Sequence, residues 1–319
     1  MLSRHQIIGL RQPIGAYALI SSAHKKNTAV IFVHGFSGSP ITTWLYFQSY
    51  IDDFVTEATC QWWQKADLYF YAYSTATLSI PEHGTALLDF INSLYPKPNS
   101  SVFQKTSTAV CNAIKSKLGP LTKFDDPLAG SSMPKGYDDL VLVGHSLGAV
   151  ILRQAILMRA LKHERADRLR QRIDRPQFKI LNGRLRLFAP AILGANPSGA
   201  LGLFTSLFLG VAGLRGWLQP IFESNTVVRQ IKAESRKLEK MQRDTERLAN
   251  RYPHSALIAH ILFGARENLV ERDAYGNDEL ELSEPGHDHY SICKPTQTYR
   301  KPLSFVIHGK KSTPKAVTA

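Results

Sequence analysis

Ser146 stands in Gly144-His145-Ser146-Leu147-Gly148, a spacing that lifts a serine hydroxyl onto a sharp turn between a strand and a helix. A serine hydroxyl is a poor nucleophile at neutral pH. It needs a base within hydrogen-bond reach, a group that orients the base, and N–H donors for the oxyanion that forms on attack. The chain offers candidates for each part, in the order serine, acid, histidine. His287 and His289 are the candidate bases, and the neighbouring Pro285 and Gly286 allow either to turn toward Ser146. Glu267 lies just past an apolar run ending at Phe263, with Glu271 and Asp273 close behind as alternative acids. Leu147 follows the nucleophile, and Phe36 lies in the loop after Val33; these are the positions for two oxyanion-binding N–H groups. Ser146 also begins a helix, so the positive end of the helix dipole faces the same point.

Several elements must position these groups. Leu140 to Val143 reads as a short apolar strand into the turn, and a helix of small and aliphatic residues follows to about Leu161. Thr28 to Val33 is a continuous apolar run, as a strand covered on both faces requires. His34-Gly35-Phe36-Ser37-Gly38 is a loop, with a helix starting near Thr42 or Thr43. Further strands are expected at Ile14 to Ile20 (an edge strand), Asp67 to Tyr73, Arg184 to Ala189 and Ala256 to Phe263. Helices are expected over Pro81 to Tyr95 and Thr106 to Leu118, with a loop from Leu121 to Tyr137. Asn182-Gly183 reads either as a small hairpin turn or as a plain loop. Strands alternating with helices give an α/β architecture: a mostly parallel central sheet with helices on both faces.

One stretch does not fit that alternation. Leu187 to Leu214 has no charged residue, yet Pro190, Pro197 and five glycines interrupt it, so it is not a membrane span. Ala200 to Trp217 would form a helix apolar on most sides, with Leu203, Leu207, Phe208 and Trp217 as candidate lining for an acyl pocket. Ser224 to Asn250 reads as an amphipathic helix broken near Ser235. Residues 190–250 are therefore expected to form a helical, lid-like insertion within a single domain spanning 1–319. Residues 310–319 read as a disordered basic tail.

The chain has 319 residues and a formal net charge of +13. From Arg153 to Arg186 there are eleven Lys or Arg against three acids. That run is either a solvated helix face or a surface for peripheral contact with an anionic membrane. No helix-turn-helix, zinc finger or RNP-like run accompanies the charge, so nucleic acid is not the expected partner. Cys60, Cys111 and Cys293 are widely spaced and odd in number, which argues against a disulfide framework or a cysteine metal site. With no apolar leader core at the start, the expected location is cytoplasmic. The chemistry calls for no cofactor and no metal.

With these residues placed, the chain resembles the α/β-hydrolase superfamily. More narrowly, it is similar to intracellular serine esterases and lipases that include relatives of the GPI inositol-deacylases. Four stretches between about Ala29 and Pro295 carry the resemblance: Val33-His34-Gly35-Phe36 with Trp44 after it, Val143 to Gly148, Gly264 to Val270, and His289-Tyr290-Ser291-Ile292-Cys293-Lys294-Pro295. The last of these implies His289 rather than His287 as the base. Glu267 stands where such proteins usually carry Asp. The resemblance implies an α/β-hydrolase fold and hydrolysis of a small-molecule or lipid carboxylic ester through an acyl-enzyme. Thioester or amide cleavage on the same triad, and a non-catalytic interaction protein retaining the fold, are the alternatives.

Overall fold

The computed structural model describes residues 5–21, 27–36, 38–51, 58–74, 79–104, 112, 136–169, 179–191, 225–252, 255–267, 269–270, 272, 274–283 and 285–309. Nine strands form one mixed sheet: β1 (His5–Leu10), β2 (Tyr17–Ser21), β3 (Thr28–Val33), β4 (Ala66–Tyr71), β5 (Phe103–Gln104), β6 (Asp139–His145), β7 (Arg184–Phe188), β8 (Ala259–Phe263) and β9 (Glu279–Leu282). Their order is β5-β1-β2-β4-β3-β6-β7-β8-β9. From β4 to β9 every pairing is parallel, while β1 and β2 pair antiparallel to their neighbours. Every residue of β3 and β4 is buried; β3 is a near-continuous apolar run, and the one charged residue of β4, Asp67, accepts the Ser21 N–H and the Tyr137 hydroxyl.

Six helices are described: α1 (Pro40–Ile51), α2 (Ala58–Gln64), α3 (Ile80–Leu94), α4 (Leu147–Arg168), α5 (Asn225–Arg251) and α6 (Lys301–His308). On one face of the sheet, Trp44 and Phe47 of α1 and Phe305 of α6 close on Phe32 and Phe188, and Trp63 of α2 packs on Phe47. Each such fully buried side chain contributes about 1.5–3 kcal/mol through removal of apolar surface from water. On the other face α3 and α4 pack together so closely that a Cβ at Gly84 would lie 2.7 Å from the Gln154 side chain. Sheet order, parallel core and the two helical layers make this the α/β-hydrolase fold.

Chain order reverses around β3: β4 lies on one side of it and β6 on the other. In an open α/β sheet that switch point leaves a crevice beyond the carboxyl ends of the strands. Val33 pairs with Gly144 there, which sets the loop after β3 beside the turn after β6.

Several sequence expectations change. The strand expected at Ile14 to Ile20 is β2, and it lies inside the sheet between β1 and β4, not at an edge. The strand outside it, β1, is short, with His5 and Gln6 ahead of Ile7-Ile8-Gly9-Leu10, and has no period-2 alternation. α4 runs seven residues beyond Leu161 because its polar last turns are paired: Glu164 is buried and bound by Arg168, Arg247 and Arg251. Asn182-Gly183 closes no hairpin, since β6 and β7 are parallel and a short 3-10 turn, Lys179–Asn182, leads into β7. α5 continues unbroken past Ser235.

The basic run is not one charged face. Arg153 pairs with Asp278, Arg159 donates to Asn92 and Arg186 is buried, while Lys162, Arg165 and Lys179 are exposed. No helix among the described residues is long and apolar enough to cross a membrane. The candidate pocket residues Leu203, Leu207, Phe208 and Trp217, residues 192–224 of the expected insertion, nearly all of the helix expected at Thr106 to Leu118, and residues 310–319 lie outside the described residues.

Candidate active site

The turn between β6 and α4 is as sharp as its sequence demands. Ser146 has φ 53° and ψ −121°, a conformation that costs a residue other than glycine about 1–3 kcal/mol. Its N–H donates to the Phe188 carbonyl at 3.0 Å, so β7 holds the strained residue in place. Gly144 permits the turn to close: a Cβ there would lie 2.7 Å from Ala149 Cα.

Ser146 Oγ lies 3.0 Å from His289 Nε2, and His289 Nδ1 lies 3.0 Å from Glu267 Oε2. All three residues are buried. A carboxylate only accepts hydrogen bonds, so in neutral His289 the proton sits on Nδ1 and Nε2 is free to accept from the serine hydroxyl. The second Glu267 oxygen, Oε1, accepts the backbone N–H groups of Leu269 at 2.8 Å and Val270 at 3.1 Å. Burial raises the Glu267 carboxyl, but the His289 imidazole and those two N–H groups outweigh it and hold the group below its ordinary value. Glu267 is therefore an ionised, fixed acceptor.

The other candidates separate from this line. His287 stacks on Tyr299, ring centroids 3.5 Å apart, and its carbonyl accepts the Arg266 N–H at 2.9 Å. Glu271 and Asp273 lie outside the described residues. Phe36 lies in the loop after β3 and lines the cleft, and Leu147 is the first residue of α4, where helical N–H groups have no partner of their own. The cleft over Ser146 has a volume of about 200 Å³ and is lined also by Thr42, Thr43, Tyr290, Cys293 and Lys294. Cys293 is fully buried, and burial pushes its thiol up to about 12. Among the described residues no group of three or more His, Cys, Asp or Glu is arranged to hold a metal ion.

Sequence reading missed two groups at this site. Asp288 accepts the Ser291 hydroxyl at 2.7 Å and the N–H groups of Tyr290 and Ser291, closing a turn around His289. The Asp-x-x-Ser spacing carries that signal. The other is His145, whose imidazole bonds to the His289 carbonyl; it lies within the Val143 to Gly148 stretch, at a position the Gly-x-Ser-x-Gly spacing leaves open.

No protein-family model matches the chain, and no curated protein matches it. Solved structures similar to it include a peroxisomal α/β-hydrolase from Saccharomyces cerevisiae, 11% identical over 99% of this chain and 94% of that chain, with a TM-score of 0.47. An esterase from Pyrococcus furiosus is 12% identical over 91% of this chain and 85% of that one, with a TM-score of 0.39. A bacterial membrane phospholipase A is 13% identical over 96% and 88%, with a TM-score of 0.43. What this chain can do follows from its own side-chain geometry.

Proposed function

We propose that this protein is a serine hydrolase that cleaves carboxylic esters through an acyl-enzyme, with Ser146 as nucleophile, His289 as base and Glu267 as the acid that orients it. The observation that carries this reading is the unbroken line from Ser146 Oγ through both ring nitrogens of His289 to Glu267, with two contacts of 3.0 Å. It is supported by the strained turn at Ser146, a conformation that persists only where the surroundings impose it.

In this mechanism Ser146 Oγ attacks the ester carbonyl carbon as its proton passes to His289 Nε2. The imidazolium is held between the serine and the Glu267 carboxylate. Negative charge collects on the carbonyl oxygen, where the N–H groups of Leu147 and Phe36 receive it. Collapse of the intermediate breaks the bond to the alcohol, which leaves with the proton from Nε2. Water then attacks the acyl-serine as His289 takes its proton; the bond to Ser146 Oγ breaks, that proton passes from Nε2 to Oγ, and the carboxylic acid departs. The chain's resemblance to intracellular serine esterases and lipases points to the same chemistry.

A fluorophosphonate, which reacts only with an activated serine, tests the reading. Wild-type protein should be labelled at Ser146 and should hydrolyse p-nitrophenyl butyrate. Ser146→Ala should lose both while keeping its circular dichroism spectrum. Absence of labelling in wild type, or Ser146→Ala activity within tenfold of wild type, would sink it.

A further inference from the structure

His145 is buried at 6% exposure, with its Nε2 2.8 Å from the backbone carbonyl of His289. A carbonyl only accepts, so Nε2 must carry the proton and donate it. The ring is confined on its other sides. Trp44 meets it edge-on at 6.4 Å, and a Cβ on Gly35 would lie 2.8 Å from its Nδ1.

His145 is covalently joined to Ser146, and its acceptor belongs to the residue whose ring meets Ser146 Oγ. The two hydrogen bonds therefore close a ring. One runs from Ser146 Oγ to His289 Nε2, the other returns from the His289 carbonyl to the side chain beside Ser146. Asp288 binds Ser291 and Tyr290 and its carbonyl accepts the Ile292 N–H, which fixes the shape of the His289 loop, while the Arg266 N–H on the His287 carbonyl and the Glu267 contact tie the loop to the segment after β8. The bond from His145 adds a tie between the loop backbone and the end of β6.

We propose that His145 is a positioning residue: by donating Nε2–H to the His289 carbonyl, it holds the base at attacking distance from the nucleophile. This rests on the assignment of Ser146 and His289 given under the proposed function. The environment also keeps the device uncharged. Burial, and after it the neighbouring His289, hold the His145 ring down to about 3. The rings of His145 and His289 lie 5.0 Å apart, so a neutral His145 adds no second positive charge beside the imidazolium that forms during turnover.

The test compares His145→Phe, which fills the space without a donor, with His145→Gln, whose side-chain amide places an N–H near the Nε2 position. The rate of fluorophosphonate labelling at Ser146, and kcat and KM for p-nitrophenyl butyrate, are measured together with thermal melts. His145→Phe should label and turn over about ten- to a hundredfold more slowly, with KM within about twofold of wild type. His145→Gln should recover to within about threefold of wild type. A folded His145→Phe variant within twofold of wild type, or a folded His145→Gln variant as slow as His145→Phe, overturns the proposal. Should neither variant fold, nitrogen-15 NMR of the wild-type histidines decides. A neutral His145 protonated at Nε2 from pH 6 to 8 supports the tie; an Nδ1-protonated or charged ring overturns it. If wild-type protein fails to label at all, the hydrolase reading falls, and the NMR measurement still judges the hydrogen bond.

Discussion

Gly148 Cα faces the His34 carbonyl so closely that a Cβ built on it would lie 2.2 Å from that oxygen and 2.5 Å from the Val33 carbonyl. The first turn of α4 and the loop that carries Phe36 are thus in backbone contact. Both proposed oxyanion donors, Leu147 and Phe36, sit within two residues of it.

Gly148→Ala should therefore push loop and helix apart. We expect a stability loss of about 1–3 kcal/mol, as for overpacking in a filled interior, and at least a tenfold slower fluorophosphonate labelling. Thermal melts and labelling rates measure the two effects. A variant that melts and labels like wild type would mean that loop and helix separate without consequence.

His289→Ala should be as inactive as Ser146→Ala, because the serine then has no base. His287→Ala should keep activity within about fivefold of wild type, since that ring stacks on Tyr299 and its link to the loop is a backbone carbonyl. Turnover of p-nitrophenyl butyrate by the two variants separates them. The reverse order would move the base to His287.

Glu267→Gln should lower kcat/KM by at least about a hundredfold, because a neutral amide stabilises the imidazolium poorly and does not enforce the Nδ1–H tautomer. Asp273→Asn should stay close to wild type. If Asp273→Asn were the damaging change, the orienting acid would lie further along the loop.

Glu164 gives a prediction on stability. Hydrogen bonds from Arg247, and with them Arg168, hold its carboxyl down to about 2 from an ordinary 4.5. A carboxyl depressed in the folded state stabilises it while ionised. That contribution is complete above about 4.5 and is lost as pH falls toward about 2. Glu164→Gln should therefore melt below wild type by about 2 °C or more at pH 7, and the gap should close as pH drops below 4.5. A gap constant with pH would assign the effect to packing.

Much of this fold was legible because strands covered on both faces must be largely apolar, and β3 and the Leu140 to Val143 run of β6 announce themselves that way. The outer strands do not: β5 has two residues, and β9 is Glu-Leu-Glu-Leu, with a glutamate at every second position. Their pairing comes from neighbours far away in sequence. The serine was readable because its turn constrains residue types on both sides of it. Residue spacing alone leaves His287 and His289 equal, and only the resemblance carried by His289 to Pro295 favours His289; that the His287 ring stacks on Tyr299 depends on a contact no spacing shows. The tie from His145 left no trace for a similar reason, because its acceptor is a backbone carbonyl that any residue would supply.

The state of Cys293 bears on how the cleft can be tagged. A thiol pushed up to about 12 presents almost no thiolate at neutral pH, so alkylating agents and mild oxidants find no reactive sulfur there. Phosphonylating reagents face no such rival for Ser146 Oγ. A phosphonylating probe placed in this cleft should thus meet no competing thiolate at Cys293, and loss of its signal after exposure to an unknown compound would report occupancy of the cleft at the proposed nucleophile.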